Sequence, residues 1–198
     1  MTHGINFVKR SSMDQLFKII KGCRKNDRRS QQLLYERYYG YVLKISFRYL
    51  DTYEEATELT NDTFLIIFRT LNDFDCYHKR KLDSRLVGWI KTKMIDALIH
   101  NLKATIDRYR PEMIPAISPT DRYMMSPDSP CLYCDIISAV RELPCILRAV
   151  FNLHVIDGYP QTEIAKMFGT SLQAIGCYVR IARLICIRTL LASGDDSW

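Results

Sequence analysis

The residues best equipped for specific chemistry lie on two helical faces. From about 85 to 103, Trp89, Lys93, Asp96, His100 and Lys103 recur at steps of 4, 3, 4 and 3, which is one side of a helix, while Leu86, Ile90, Met94 and Ala97 take the other. Cations at that spacing make a track on which phosphates are neutralised, and Trp89 either packs as a core residue or offers an aromatic surface on which an unstacked base can stack. Lys91 lies on the same helix, and segment 79–110, which opens with Lys79, Arg80 and Lys81, holds nine basic residues against three acidic ones. The second face belongs to a helix from about 171 to 191, where Ile175, Val179, Ala182, Cys186 and Leu190 form an inner stripe and leave Gln173, Cys177 and Arg180 outward. Glutamine pairs bidentately with adenine, and arginine with guanine or a phosphate.

These faces need elements to position them. Residues 161–180 fit a helix-turn-helix: small Ala165 where the helices touch, Gly169 in the turn, and Ile164, Phe168 and Ile175 underneath. Thr170 with Gln173 has the spacing of a capping box for the second helix. Pro144 can start a preceding helix that Asp157-Gly158 ends, and Pro160 starts the next, which stops at Gly169. Upstream, a short helix is expected over about 12–25, and Leu34, Tyr38, Val42, Ile45 and Tyr49 mark one from about 30 to 50. Thr52 and Glu55 form a capping box for a helix over about 53–71. Five of the seven prolines fall at 111, 115, 119, 127 and 130, without helical or strand periodicity, so 104–134 reads as a flexible linker. The expectation is an all-α chain of two small helical domains, 1–103 and 135–198, joined by 104–134.

Composition agrees with this layout and excludes others. The 198 residues include only 8 Gly and 7 Pro, too few for the turns of an all-β sandwich or barrel. The net charge of +6 is uneven: residues 1–110 carry +8 and residues 111–198 carry −2, so polyanion contact should rest mainly on the first part. Seven cysteines, an odd number, several within apolar helical patterns, suit a reducing cytoplasm. Met1–Arg10 has no apolar run of signal-peptide length and no 18 apolar residues follow one another, so neither secretion nor membrane insertion is expected. Cys131-Leu132-Tyr133-Cys134 is at most half a zinc site, and His3, His78, His100 and His154 form no ligand-spaced cluster. With no Gly-rich phosphate loop and no triad order either, no catalytic role, metal or cofactor is expected.

The motifs in their order resemble a known family. Leu34-Tyr35-Glu36-Arg37-Tyr38-Tyr39, the run Glu54 to Phe64, and Gly88-Trp89-Ile90 are similar to domain two of bacterial RNA polymerase sigma factors of the extracytoplasmic-function class. Leu143-Pro144, Gly158-Tyr159, Glu163-Ile164-Ala165 and Phe168-Gly169-Thr170-Ser171 resemble that family's domain four. The resemblance implies a non-enzymatic specificity factor that binds core RNA polymerase at its clamp and flap, recognises promoter DNA at two elements (−10 and −35), and assists strand separation. It implies polymerase contacts at Glu58, Leu59, Asn61, Asp62 and Phe64. For the downstream element it implies the basic track together with loop 74–84, from Phe74 through Lys79, Arg80 and Lys81, where the family captures an unstacked base. For the upstream element it implies Ser171, Gln173, Gly176, Cys177, Arg180 and Arg183. Family members are often held by an anti-sigma protein, so the resemblance allows such a partner.

The chain also departs from the family pattern. Asp96 and His100 stand where the family usually has Asn and then Asp or Asn, and Gly176 and Cys177 stand where Lys and Ser are common. Pro160 replaces a polar cap. An acid facing DNA is costly unless it accepts from a cytosine amino group or pairs with a neighbouring lysine. Two other readings therefore stay open: a stand-alone helix-turn-helix regulator of duplex DNA, and a degenerate sigma paralogue that titrates polymerase or an anti-sigma partner.

Overall fold

The structure, a computed structural model, describes residues 3–77, 81–106 and 133–195, with side chains described from Asp14 onward except at 104, 105, 133, 134 and beyond 190. Lys79, Arg80, His78, Cys131 and most of the expected linker lie outside the described residues. Those that are described form helices and turns with no strand among them. The chain divides into two compact units, residues 1–100 and 101–198.

The first unit holds α1 (His3–Arg24), α2 (Arg28–Ser46), α3 (Tyr53–Thr70) and α4 (Leu82–Ile106) as far as residue 100, the last residues of α4 falling in the second unit. The turn between α1 and α2 is close-packed, since a Cβ on Gly22 would collide with the Ser30 side chain. Asp27 caps α2 by accepting from the Ser30 amide at 3.0 Å. The expected capping box at α3 is present, with Thr52 and Glu55 exchanging two 3.2 Å hydrogen bonds. Leu34, Tyr38, Val42, Ile45 and Tyr49 are all buried, although α2 ends at Ser46 and Tyr49 packs from the turn that follows. They share a core with Leu16 and Ile20 of α1, Ala56, Leu59, Phe64 and Ile67 of α3, and Leu86, Ile90 and Met94 of α4. Helix α1 is longer than the 12–25 expected, and α4 extends the expected 85–103 at both ends.

The second unit holds α5 (Tyr133–Arg141), α6 (Cys145–Phe151) continuing as a π-helical segment through Asn152–Ile156, α7 (Gln161–Phe168) and α8 (Leu172–Asp195). Arg148 is buried and donates to the carbonyls of Arg141 at 2.6 Å and Leu143 at 2.8 Å, tying the end of α5 to α6. Ile164, Ala165 and Phe168 of α7 are buried, as are Ile175, Val179, Ala182 and Cys186 of α8. Leu190, expected on the same stripe, is only half-buried. Tyr178 and Ile181 are buried as well, so α8 is covered over a wider arc than one apolar stripe requires.

Candidate nucleic-acid interface

The track on α4 is built as a ladder of rings and cations. Phe74 and Trp89 pack with centroids 5.4 Å apart, the Arg85 guanidinium lies 5.8 Å from the Phe74 centroid, and the Lys93 ammonium lies 5.6 Å from the Trp89 centroid. Each end carries a carboxylate: Asp75 meets Arg85 at 3.1 Å and Asp96 meets Lys93 at 3.6 Å. The acid that stood out in the sequence is thus paired with a lysine one turn away. Asp96, His100 and Lys103 are exposed, Trp89, Lys91 and Lys93 half-buried.

The loop before α4 is fastened from two sides. Arg24 of α1 donates to the Leu71 carbonyl at 3.2 Å and to the Phe74 carbonyl. Asp75, besides its pair with Arg85, accepts from the Tyr77 amide at 3.0 Å, an Asx turn. Phe74 is 4% exposed and packs into the core, so it offers no stacking face to a base. Tyr77, three residues on, is 74% exposed. Tyr77 is marked in the sequence only as an aromatic residue beside the basic run Lys79-Arg80-Lys81, with none of the helical periodicity of a core ring. Asp83, in the first turn of α4, accepts from Arg37 at 2.9 Å and Tyr38 at 2.7 Å. Burial first, then the bond to Asp83, holds the Tyr38 phenol well above its ordinary range.

On α3, Glu58, Asn61 and Asp62 are exposed, and Asn61 accepts from the Tyr35 hydroxyl at 3.1 Å. Leu59 and Phe64, which the resemblance assigned to polymerase contact, are 1% and 2% exposed. Both point inward, Phe64 against Tyr35 at 4.7 Å between centroids, and serve the core instead. Leu65, 54% exposed, is the large apolar residue that α3 presents beyond Tyr53 at its start. It lies three residues after Asp62 and four after Asn61, hence on the same side of the helix.

The helix-turn-helix forms as spaced. Gly169 adopts φ +68°, a left-handed conformation that favours glycine, and closes α7 through bonds from its own amide to Lys166 and from the Thr170 amide to Ala165. The cap of α8 differs from expectation: Ser171, not Thr170, accepts, from the Ala174 amide at 3.1 Å. The Thr170 amide, the donor that the expected box would give to Gln173, is used in the turn by the Ala165 carbonyl. Capping gives Ser171 a structural duty alongside any contact to DNA. Gln173, Arg180 and Arg183 are exposed, Gly176 and Cys177 half-buried. Leu172, also exposed, adds an apolar group at the start of α8 of the kind that meets a thymine methyl.

Other chemistry is not assembled. Among the described residues no three His, Cys, Asp or Glu side chains group as a metal site. Burial pushes the Cys23 and Cys186 thiols up to about 11, which keeps them protonated and unreactive. No single helix among the described residues is long and apolar enough to cross a membrane.

Comparison with known proteins matches these intervals to named domains. The model for sigma-70 region 2 matches residues 34–101, which hold most of α2, all of α3, the loop and most of the α4 track, and the model for sigma-70 region 4 matches residues 135–186, which hold the helix-turn-helix. A solved structure of the RsbN–BldN complex is similar at 18% identity and a TM-score of 0.34, covering 85% of this chain and 97% of that one. The structure of CnrH in complex with the cytosolic domain of CnrY is similar at 18% identity and a TM-score of 0.37, covering 92% and 98%. No curated protein sequence matches. With both regions matched in order across the two helical units, the chain belongs to the sigma-70 family of RNA polymerase sigma factors, in the region 2 plus region 4 layout of the extracytoplasmic-function class.

Proposed function

We propose that this sigma factor docks on core polymerase through the exposed side of α3, holds the downstream promoter element as separated strands on the α4 track, and reads the upstream element with α8. The observation that carries this reading is that one folded unit presents two unlike surfaces. Helix α3 exposes Glu58, Asn61, Asp62 and Leu65, a polar and acidic side with one apolar anchor suited to a protein partner. Helix α4 and its loop expose Lys81, Lys103 and Tyr77, with Lys91, Lys93 and Trp89 half-buried beside them, a surface suited to single-stranded DNA. Flipping a base out of the stack costs a few kcal/mol, which stacking on Tyr77 and phosphate contacts from Lys79, Arg80 and Lys81 offset. The polymerase performs the catalysis. An anti-sigma protein would act by covering the α3 side or the track.

The pairing of Asp96 with Lys93 weighs against the degenerate-paralogue reading, because the acid is compensated within the protein. A stand-alone helix-turn-helix regulator would leave the α3 surface and the fastened loop without a role. Permanganate footprinting of the holoenzyme tests the reading. Thymines near the start site should become reactive, and Lys91, Lys93 and Lys103 replaced together by Ala should remove that reactivity; reactivity that persists in the triple variant would place strand separation elsewhere.

A further inference from the structure

Residue 176 is a glycine in the middle of the reading face of α8. At 3.6 residues per turn, positions 173, 176 and 180 fall within about 60° of one another. The row that carries Gln173 and Arg180 therefore has a gap between them where a side chain would stand. The gap is bordered by the neighbouring helix. A Cβ on Gly176 would lie 3.4 Å from Oε1 of Gln161, the first residue of α7.

The orientation of that amide is set from behind. His154, in the π-helical segment after α6, has Nδ1 2.9 Å from the Tyr159 carbonyl oxygen. A carbonyl only accepts, so Nδ1 carries the proton, and in the neutral ring Nε2 is left as an acceptor. Gln161 Nε2 lies 3.4 Å from His154 Nε2. The amide nitrogen of Gln161 thus donates one N–H to His154, and its oxygen turns toward Gly176. What remains is an oxygen that accepts and a second N–H that donates, side by side on one planar group. That is the pair of functions with which glutamine meets N6 and N7 of adenine in the major groove. A phosphate, which only accepts, would leave the oxygen unused.

Resting on the reading of α8 as the upstream-element helix, we propose that Gln161 is a base-reading residue supplied by the first helix of the helix-turn-helix. It reads an adenine between the positions met by Gln173 and Arg180, through the space that Gly176 leaves open. His154 is a positioning residue that fixes which end of the amide faces the groove.

The test is selection by the complete holoenzyme, assembled from the full chain and core polymerase, from duplexes randomised across the upstream element. The parent should prefer adenine at one position. Gln161→Ala should lower that preference by roughly ten-fold while leaving the other positions as they were. Gln161→Glu, nearly the same size, should move the preference toward cytosine, whose amino group a carboxylate accepts from. His154→Phe keeps a ring and removes the acceptor, and should weaken the same single position; a purely structural role would lower all positions together. A Gln161→Ala profile identical to the parent's, or one lowered uniformly, overturns the inference. A parent holoenzyme that selects no sequence overturns the upstream reading of α8 itself, and this inference with it.

Discussion

Replacing Asp96 with Asn isolates the charge that the DNA track meets. Lys93 and Asp96 lie 3.6 Å apart, with the carboxylate about half exposed. An exposed pair of this kind contributes well under about 1 kcal/mol to folding, so the variant should unfold at nearly the parent's midpoint. Binding should change more. With the carboxylate gone, Lys93 is free to neutralise one further phosphate, and each such contact on a single strand adds about 0.7 to the steepness of log K against log salt. Over a four-fold fall in salt that is a gain of roughly 2.5-fold beyond the parent's own. Fluorescence anisotropy of the holoenzyme on a forked probe, with the downstream element single-stranded, measures both quantities in one salt series. Asp96→Asn should bind more tightly at low salt and show the steeper slope. An unchanged slope would mean that the Lys93–Asp96 pair lies off the DNA path. A loss of affinity confined to probes with cytosine at one position would show that Asp96 reads a base and does not restrain Lys93.

Glu58 and Asp62 replaced together by Lys should abolish competition for core polymerase without loss of helical content by circular dichroism, since both are exposed; undiminished competition would remove α3 from the docking surface. Arg148→Ala strips two carbonyls at the end of α5 of their donors and should cost about 2–4 kcal/mol in denaturant unfolding of the full chain, a cost under about 0.5 kcal/mol contradicting the burial described. The hydrogen bond from the Ser30 side chain, then that from its amide, holds the Asp27 carboxyl below its ordinary 3.8. A folded value below the unfolded one means that its contribution to stability is complete above that range and is lost as pH falls through the folded value. Asp27→Ala should therefore be less stable than the parent near neutral pH and indistinguishable from it in strong acid; a difference that survives in strong acid would refute the linkage.

Periodicity and caps made most of the fold legible. The stripes on α2 and α4, the capping box at Thr52 and the Gly169 turn all stand in the structure where spacing placed them. What spacing could not supply was how far each helix is covered. Leu59 and Phe64 sit within a motif that resembles a binding sequence, yet only packing shows that they face inward while Leu65 faces out. The cap of α8 fell to Ser171 and not to Thr170, a choice between two neighbouring hydroxyl residues that residue types alone do not decide. The pairing of Asp96 with Lys93 was one of two outcomes open from the sequence, and it is the one that a protein chain by itself can display. The approach of Gln161 to Gly176 was invisible beforehand, because it depends on where a π-helical segment leaves His154, and nothing in the periodicity of 145–156 announces that extra residue per turn.

Run-off transcription with purified core polymerase tests the central claim most directly. Core alone on genomic promoter fragments should give no discrete product, and addition of this chain should give transcripts of defined start, lost when Glu58 and Asp62 are reversed to Lys. No product with the chain present, together with sequence-selective binding of the chain to duplex DNA in the absence of polymerase, would contradict the account and leave a helix-turn-helix regulator in its place.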